Sequence, residues 1–310
     1  MSLPAHLAVR GTADVAVDDL VRLVRAYEST CTGDATCTRA DILLETQHPG
    51  HDRDRDGWCL TTPDGDVVAW AGLTTRDDGA VDSAITILPG ASSEEIARYL
   101  VTRVLWRAAE LGQQRGRPLT VTVSGVLRGD TVLPRTLKRA GFVPQHTLTR
   151  CEIDLSVAPL PLMLPQGGRI RPIGTADLRA LHAVRRRTQA AGTRTMDSST
   201  FARRLAQIRE QAARGNAVAL LMETDGHVVG HVLAQAHGPG GRIVDTSVAP
   251  ASRGIGVGLA LVLAGLAELR ALGCARAFLA LDTAAQQDTD DLRRILAVTR
   301  QHKATCYRLR

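Results

Sequence analysis

Three alternating glycines behind an arginine, Arg253-Gly254-Ile255-Gly256-Val257-Gly258, carry the clearest chemical meaning in this 310-residue chain. They follow a strand-like run, Arg242-Ile243-Val244-Asp245-Thr246-Ser247-Val248, and a turn at Pro250, and they open a helical pattern that runs to about Leu272. Glycine at a helix start lets the main chain approach a ligand closely. The first amides of a helix have no intrahelical partner and carry partial positive charge, which suits a pyrophosphate. Arg253 adds a cation at that mouth. The spacing predicts a seat for a diphosphate-bearing ligand. Neither the dinucleotide pattern GxGxxG nor the phosphate loop GxxxxGK[ST] is met.

The elements that must hold this stretch recur along the chain. Asp19-Leu20 and Asp177-Leu178 match at an offset of 158, and Gly65-Asp66-Val67-Val68 and Gly226-His227-Val228-Val229 at 161. Ala91-Ser92 and Ala251-Ser252 match at 160, Leu111-Gly112 and Leu272-Gly273 at 161, and Cys151 and Cys306 at 155. Five ordered matches at nearly constant spacing indicate a duplicated unit, read as helix, strand, strand, long helix, strand, helix, strand. The long helices are expected to end at their Leu-Gly pairs, and the two cysteines to lie in short closing strands. Three prolines and two glycines within 157–168 break helix and sheet, which marks a linker. The expected domains are residues 1–156 and 169–310, the second opening on the strand Arg169-Ile170-Arg171-Pro172.

Val248-Ala249-Pro250-Ala251-Ser252-Arg253-Gly254-Ile255-Gly256-Val257-Gly258 resembles the acyl-CoA signature of the GNAT N-acetyltransferase superfamily. That signature is a strand ending V-x-P, then Arg/Gln-x-x-Gly-x-Gly/Ala at a helix start, and Arg253, Gly256 and Gly258 stand at its diagnostic positions. With the repeat, the whole chain resembles tandem GNAT proteins of actinobacteria. The resemblance implies an α/β (α+β) fold of two tandem GNAT-like domains, each a mixed central sheet flanked by helices. It implies that the amides of Arg253, Gly254, Ile255, Gly256, Val257 and Gly258 hold the pyrophosphate of acetyl-CoA, or another acyl-CoA, as co-substrate. It also implies a splayed strand end at Val248 that pairs with the pantetheine arm and polarises the thioester carbonyl. The implied acceptor is a small-molecule amine, acetylated in the C-terminal domain. A narrower reading is a cysteinyl amine carried on a sugar–inositol; a different class is a non-catalytic acyl-CoA-binding or regulatory protein.

On that reading Asp245 is a candidate base, with a carboxylate hydrogen-bonded beside a strand bulge as its alternative. Thr246 is expected to face the other way. Tyr307, the one tyrosine of the second half, is the residual acid candidate, with packing as its alternative. The family's Leu-Tyr-x-x-x-Gly-Phe run is missing from 286–296, whereas Gly141-Phe142 keeps its ending in the first half. An offset of 160 carries the phosphate positions onto Ser93, Glu94, Glu95, Ile96, Ala97 and Arg98. Two carboxylates there repel a diphosphate, so the first half is expected to keep the fold without the site. Arg185-Arg186-Arg187 reads as a solvated basic face, and His227, His231 and His237 as surface or turn histidines without companion carboxylates. No metal site is expected. Cys306 has no histidine at a nucleophile spacing and reads as a small buried residue.

Composition narrows the partners. The net charge of +6 comes almost wholly from arginine, since Lys138 and Lys303 are the only lysines. The basic residues are interspersed with 32 acidic ones, and aromatics at 3% leave few rings to stack on bases, so no nucleic-acid partner is expected. No run approaches the ~18 apolar residues of a membrane span, and Asp14, Asp18 and Asp19 interrupt the first twenty residues where a signal peptide needs an apolar core. Six cysteines without a CxxC pair fit neither a zinc site nor a disulfide scaffold. A soluble cytoplasmic protein with no membrane partner is expected.

Overall fold

In the computed structural model, Gly11-Thr12-Ala13-Asp14 and Gly174-Thr175-Ala176-Asp177 fold alike, as one turn of 3-10 helix. In each, the aspartate turns back to accept from the glycine amide, Asp14 Oδ2 at 3.2 Å and Asp177 Oδ2 at 2.7 Å. This tetrapeptide, at an offset of 163, adds a sixth match to the repeat. The structure describes residues 3–48, 50–76, 80–156, 163–189, 198–237, 239–282, 295–296 and 298–310.

The first repeat forms β1 (Ala8–Gly11), α1 (Val17–Thr32), α2 (Arg39–Thr46), β2 (Gly57–Thr61), β3 (Val67–Thr75), β4 (Val81–Ile87), α3 (Ser93–Gln114), β5 (Val121–Leu127), α4 (Leu133–Arg139) and β6 (Phe142–Asp154). The second forms β7 (Gly168–Pro172), α5 (Leu178–Gln189), α6 (Ser198–Ala213), β8 (Ala217–Thr224), β9 (His227–His237), β10 (Gly240–Val248), α7 (Val257–Ala271), β11 (Arg276–Asp282) and β12 (Val298–Leu309). Helix α1 shows the local logic. Leu20, Leu23 and Tyr27 recur at steps of three and four, which places them on one buried stripe, and Gly33 in the left-handed region stops the helix. Gly273 ends α7 in the same way, whereas Gly112 is buried inside α3, which runs on to Gln114.

Strand pairing, rather than chain order, decides the two compact units: residues 1–147 with 302–310, and residues 148–301. The first unit's sheet runs β1-β2-β3-β4-β5-β12 and the second's β6-β11-β10-β9-β8-β7. The closing strands are exchanged. Ala304–Arg308 of β12 pair antiparallel with β5, and Leu148–Asp154 of β6 pair antiparallel with β11. Cys151 is therefore buried in the core of the second unit, and Cys306 belongs to the first. The units differ from the limits 1–156 and 169–310 because a one-dimensional repeat cannot show which sheet takes each closing strand. Those strands are also long, at 13 and 12 residues. Within the expected linker, residues 157–162 lie outside the described residues.

Among the described residues each unit has one parallel strand pair, and each pair is short. In the second unit β10 and β11 pair over Gly240–Arg242 with Arg276–Phe278 and then part. In the first, β4 and β5 pair over Val81–Ala84 with Val121–Ser124. Helix α7 packs on one face of the second sheet through Leu261, Leu266 and Leu269 against Val232 and Ile243. Helices α5 and α6 cover the other face through Leu181, Phe201 and Leu205 against Leu221 and Leu233. The first unit is layered likewise, with α3 and α4 on one face and α1 and α2 on the other. Among the described residues no helix is long and apolar enough to cross a membrane.

Candidate active site

The chain leaves β10 at Val248, makes a 3-10 turn over Pro250–Ser252, and enters α7 at Val257. Gly254 and Gly256 take left-handed φ angles of 74° and 87°, which other residues adopt only with strain. A side chain at either would meet no protein atom within 4 Å, so the demand for glycine is conformational and the space before the loop is open. Ala260 donates to the Gly256 carbonyl at 2.9 Å, which leaves the amides of Val257, Gly258 and Leu259 as the helix's orphan donors. Arg253, Gly254, Ile255 and Gly256 are exposed. The residues expected to hold a diphosphate, Arg253 to Gly258, thus sit in one open loop at a helix start.

Val248 adjoins this mouth. The ladder bond runs from the Ala249 amide to the Val229 carbonyl at 2.8 Å, and Val248 itself faces Gly230. Antiparallel ladders alternate, so the N–H and C=O of Val248 point to the opposite edge, where β11 has already diverged. The Thr188 hydroxyl of α5 lies 3.0 Å from the Val184 carbonyl of its own helix and 3.3 Å from the Val248 carbonyl, so its single proton is shared between the two.

A bulge lies between Ile243 and Asp245 in β10. Ile243 packs with α7, while Asp245 and Ser247 turn towards α5. There Asp245 meets Arg185, whose Nη1 donates to both carboxylate oxygens at 2.8 and 3.1 Å and to Ser247 Oγ at 3.1 Å. His231 Nε2 lies 2.9 Å from the second carboxylate oxygen. The Arg185 guanidinium stacks over the Phe201 ring at 5.1 Å. Burial opposes the charge on Asp245, but the His231 hydrogen bond and the Arg185 charge outweigh it and hold the pKa at about 2. A carboxylate that weakly basic is mismatched to proton abstraction at neutral pH. Of the two readings of Asp245, the geometry fits the hydrogen-bonded carboxylate at a bulge. Thr246 turns away from Asp245 as expected, and its hydroxyl is buried with no hydrogen-bond partner among the described residues.

Three further expectations are corrected here. Arg185 is 2% exposed and only Arg186 and Arg187 form a solvated face. His231 is fully buried beside Asp245, although His227 is exposed. Both were legible in principle, since Arg185 stands four residues after the buried Leu181 and His231 two before the buried Leu233. Tyr307 lies in the core of the first unit, opposite Val123 of β5. Burial, then the charge of Asp130, raises its pKa. The second unit, residues 148–301, contains no tyrosine.

The equivalent mouth in the first unit is built differently. Helix α3 begins at Ser93, whose hydroxyl accepts from the Gly90 amide at 2.7 Å, and Glu94 and Glu95 stand exposed in its first turn. Ile96 and Ala97 are buried.

Residues 181–292 match the Acetyltransferase (GNAT) family. The chain is 28% identical over 243 residues to a mycothiol acetyltransferase of Geodermatophilus obscurus, with 74% of each chain covered. It superposes on a GCN5-related N-acetyltransferase from Sphaerobacter thermophilus with a TM-score of 0.74 at 22% identity, covering 99% of this chain and 96% of the other. A tandem GNAT protein from the clavulanic acid biosynthesis pathway gives 0.69 at 18% identity, with 97% and 98% covered. Residues 181–292 of the second unit thus match a GNAT acetyltransferase domain, and the chain as a whole has the fold of tandem GNAT proteins. Enzymes of this class take their acyl group from acyl-CoA.

Proposed function

We propose that the second unit binds acetyl-CoA at the start of α7 and transfers the acetyl group to a small-molecule amine. The observation that carries this is the open left-handed glycine loop, Gly254 to Gly258, set beside the edge of β10 at Val248 from which β11 has parted. The diphosphate lies against the amides of Gly254 to Gly258, with Arg253 as counter-charge. The pantetheine arm follows the free edge of β10, and the Val248 N–H meets the oxygen that becomes negative as the amine adds to the thioester carbon. The new C–N bond forms, the C–S bond breaks, an amine proton is released and the CoA thiolate takes one up. With Asp245 held in its ion pair and no tyrosine in this unit, those protons exchange with solvent. Much of the acceleration comes from holding donor and amine in a reactive orientation. No step calls on a metal. The first unit retains the fold and, with Glu94 and Glu95 at its mouth, holds no donor.

A cysteinyl amine on a sugar–inositol acceptor is the narrower reading, supported by the likeness to a mycothiol acetyltransferase. The test is calorimetric titration with acetyl-CoA, followed by thioester consumption with a panel of amino sugars and cysteinyl amines. One acetyl-CoA bound per chain, with turnover on at least one amine, is the expected result. Binding without turnover favours an acyl-CoA-binding protein, and absence of binding overturns the reading.

A further inference from the structure

The buried charges around Asp245 contribute nothing to the steps above, yet they converge on the four residues of β10 that border the donor edge. Beyond Arg242 β10 has lost β11 and, among the described residues, makes ladder bonds to β9 alone, with Arg204 of α6 donating to the Val244 carbonyl at 3.4 Å. Over this stretch α5 supplies what the missing neighbour does not. Arg185 holds Asp245 and Ser247, and Thr188, one turn further along the same helix, shares its hydroxyl proton between the Val184 and Val248 carbonyls. His231 from β9 braces Asp245 from the side. The bulge after Ile243 is what turns Asp245 to this face.

The first unit shows that the fold has no need of these charges. Trp70 and His231 each stand five residues after their hairpin glycines, Gly65 and Gly226; Thr86 pairs with Trp70 where Ser247 pairs with His231, and Ala84 stands where Asp245 does, on the α1 side of its sheet. The same sheet position is filled by the uncharged Ala84 and Thr86 in the copy whose helix mouth carries glutamates, and by a buried ion cluster in the copy whose mouth carries glycines. A buried ion pair is seldom more stable than well-packed apolar residues of similar size. Stability alone does not account for keeping one here.

We propose that Arg185 is a positioning residue of the transferase site: through Asp245 and Ser247 it fixes the free end of β10 so that the Val248 N–H meets the thioester oxygen. Thr188 completes the same brace at the Val248 carbonyl. The proposal rests on the function proposed above and assigns a role to residues that do not themselves touch the substrates.

The discriminating experiment compares the wild-type chain, the double variant Arg185→Met/Asp245→Leu, Thr188→Val and Arg185→Lys. Acetyl-CoA affinity, kcat and KM on the best amine of the panel, and thermal stability are measured for each. The double variant removes both charges together and is expected to melt at or above the wild-type temperature. It is expected to lose at least tenfold in kcat with less than threefold change in acetyl-CoA affinity, the split of an interaction made only in the transition state. Thr188→Val, which keeps the apolar packing, is expected to lose severalfold in kcat with the same split. Arg185→Lys is expected to recover part of the rate, because one ammonium cannot reproduce the guanidinium's fork. A double variant, or a Thr188→Val chain, with wild-type kcat overturns the proposal. Equal losses of affinity and kcat also overturn it, since they signal a collapsed donor site. A wild-type chain that binds no acetyl-CoA overturns the function itself, and the brace with it.

Discussion

Helices α3 and α7 are copies of one element, and they begin in different ways. An offset of 160 sets Ser93 opposite Arg253, yet α3 is helical from Ser93 while α7 waits until Val257. The intervening residues of the second copy form the left-handed glycine loop; in the first copy the same positions hold Glu94, Glu95 and the buried Ile96. The apolar face of the helix persists in both copies, through Leu100 and Val104 in α3 and Leu261 and Leu269 in α7. What a fold requires of a helix is its buried stripe, and what a phosphate requires is its first turn. The two demands fall on different residues, so one copy can keep the first demand and abandon the second.

The comparison can be broken in several ways. The largest effect is expected at the buried carboxylate, where the first copy has Ala84. Asp245→Asn leaves Arg185 buried without its anion and should cost about 3–5 kcal/mol of stability, read by chemical denaturation. The wild-type chain should show the matching pH dependence. With a folded pKa of about 2 against an unfolded value of about 3.9, the group stabilises the fold above pH ~4 by about 2–3 kcal/mol. That contribution should fade as pH drops from about 4 towards about 2, and Asp245→Asn should abolish the inflection.

Next in size is Gly256→Glu, which imports the first copy's chemistry into the second. A carboxylate facing the diphosphate, on a backbone at φ 87°, should weaken acetyl-CoA binding by about 100-fold or more. Circular dichroism should show the fold intact. Unchanged affinity would remove the glycine loop from the site altogether. Arg253→Ala should weaken binding by roughly tenfold at low salt and less at high salt, because an exposed charge is screened. The smallest effect is expected in the first copy. Glu94→Gln/Glu95→Gln should change stability by less than about 0.5 kcal/mol and leave one acetyl-CoA bound per chain, because neutralising the carboxylates does not restore the left-handed loop. Two equivalent sites in calorimetry would erase the distinction between the copies.

Much of the fold was legible in the chain. The glycine loop, the start of α7, the strand ending at Val248 and the duplication are all local, and local backbone demands are written in residue type and spacing. The long-range features were less so. The polar cluster joins Arg185, His231 and Asp245, which lie 60 and 14 residues apart in sequence from the carboxylate they share. Each alone resembles an ordinary surface residue, and only a shared buried position reveals them as partners. The bulge after Ile243 reverses the simple alternation that would otherwise have paired Asp245 with that residue's face.

The sequence by itself determined two copies of one α/β unit, one helix mouth built on glycines at Arg253–Gly258 and one mouth occupied by Glu94 and Glu95. These follow from short-range sterics and charge. Tertiary structure alone decided that the closing strands are exchanged, that Tyr307 belongs to the first core, and that a buried arginine holds the edge beside the glycine loop. Hydrogen-bond ladders and burial are satisfied between segments far apart in the chain, and no local pattern records which distant segment answers the demand.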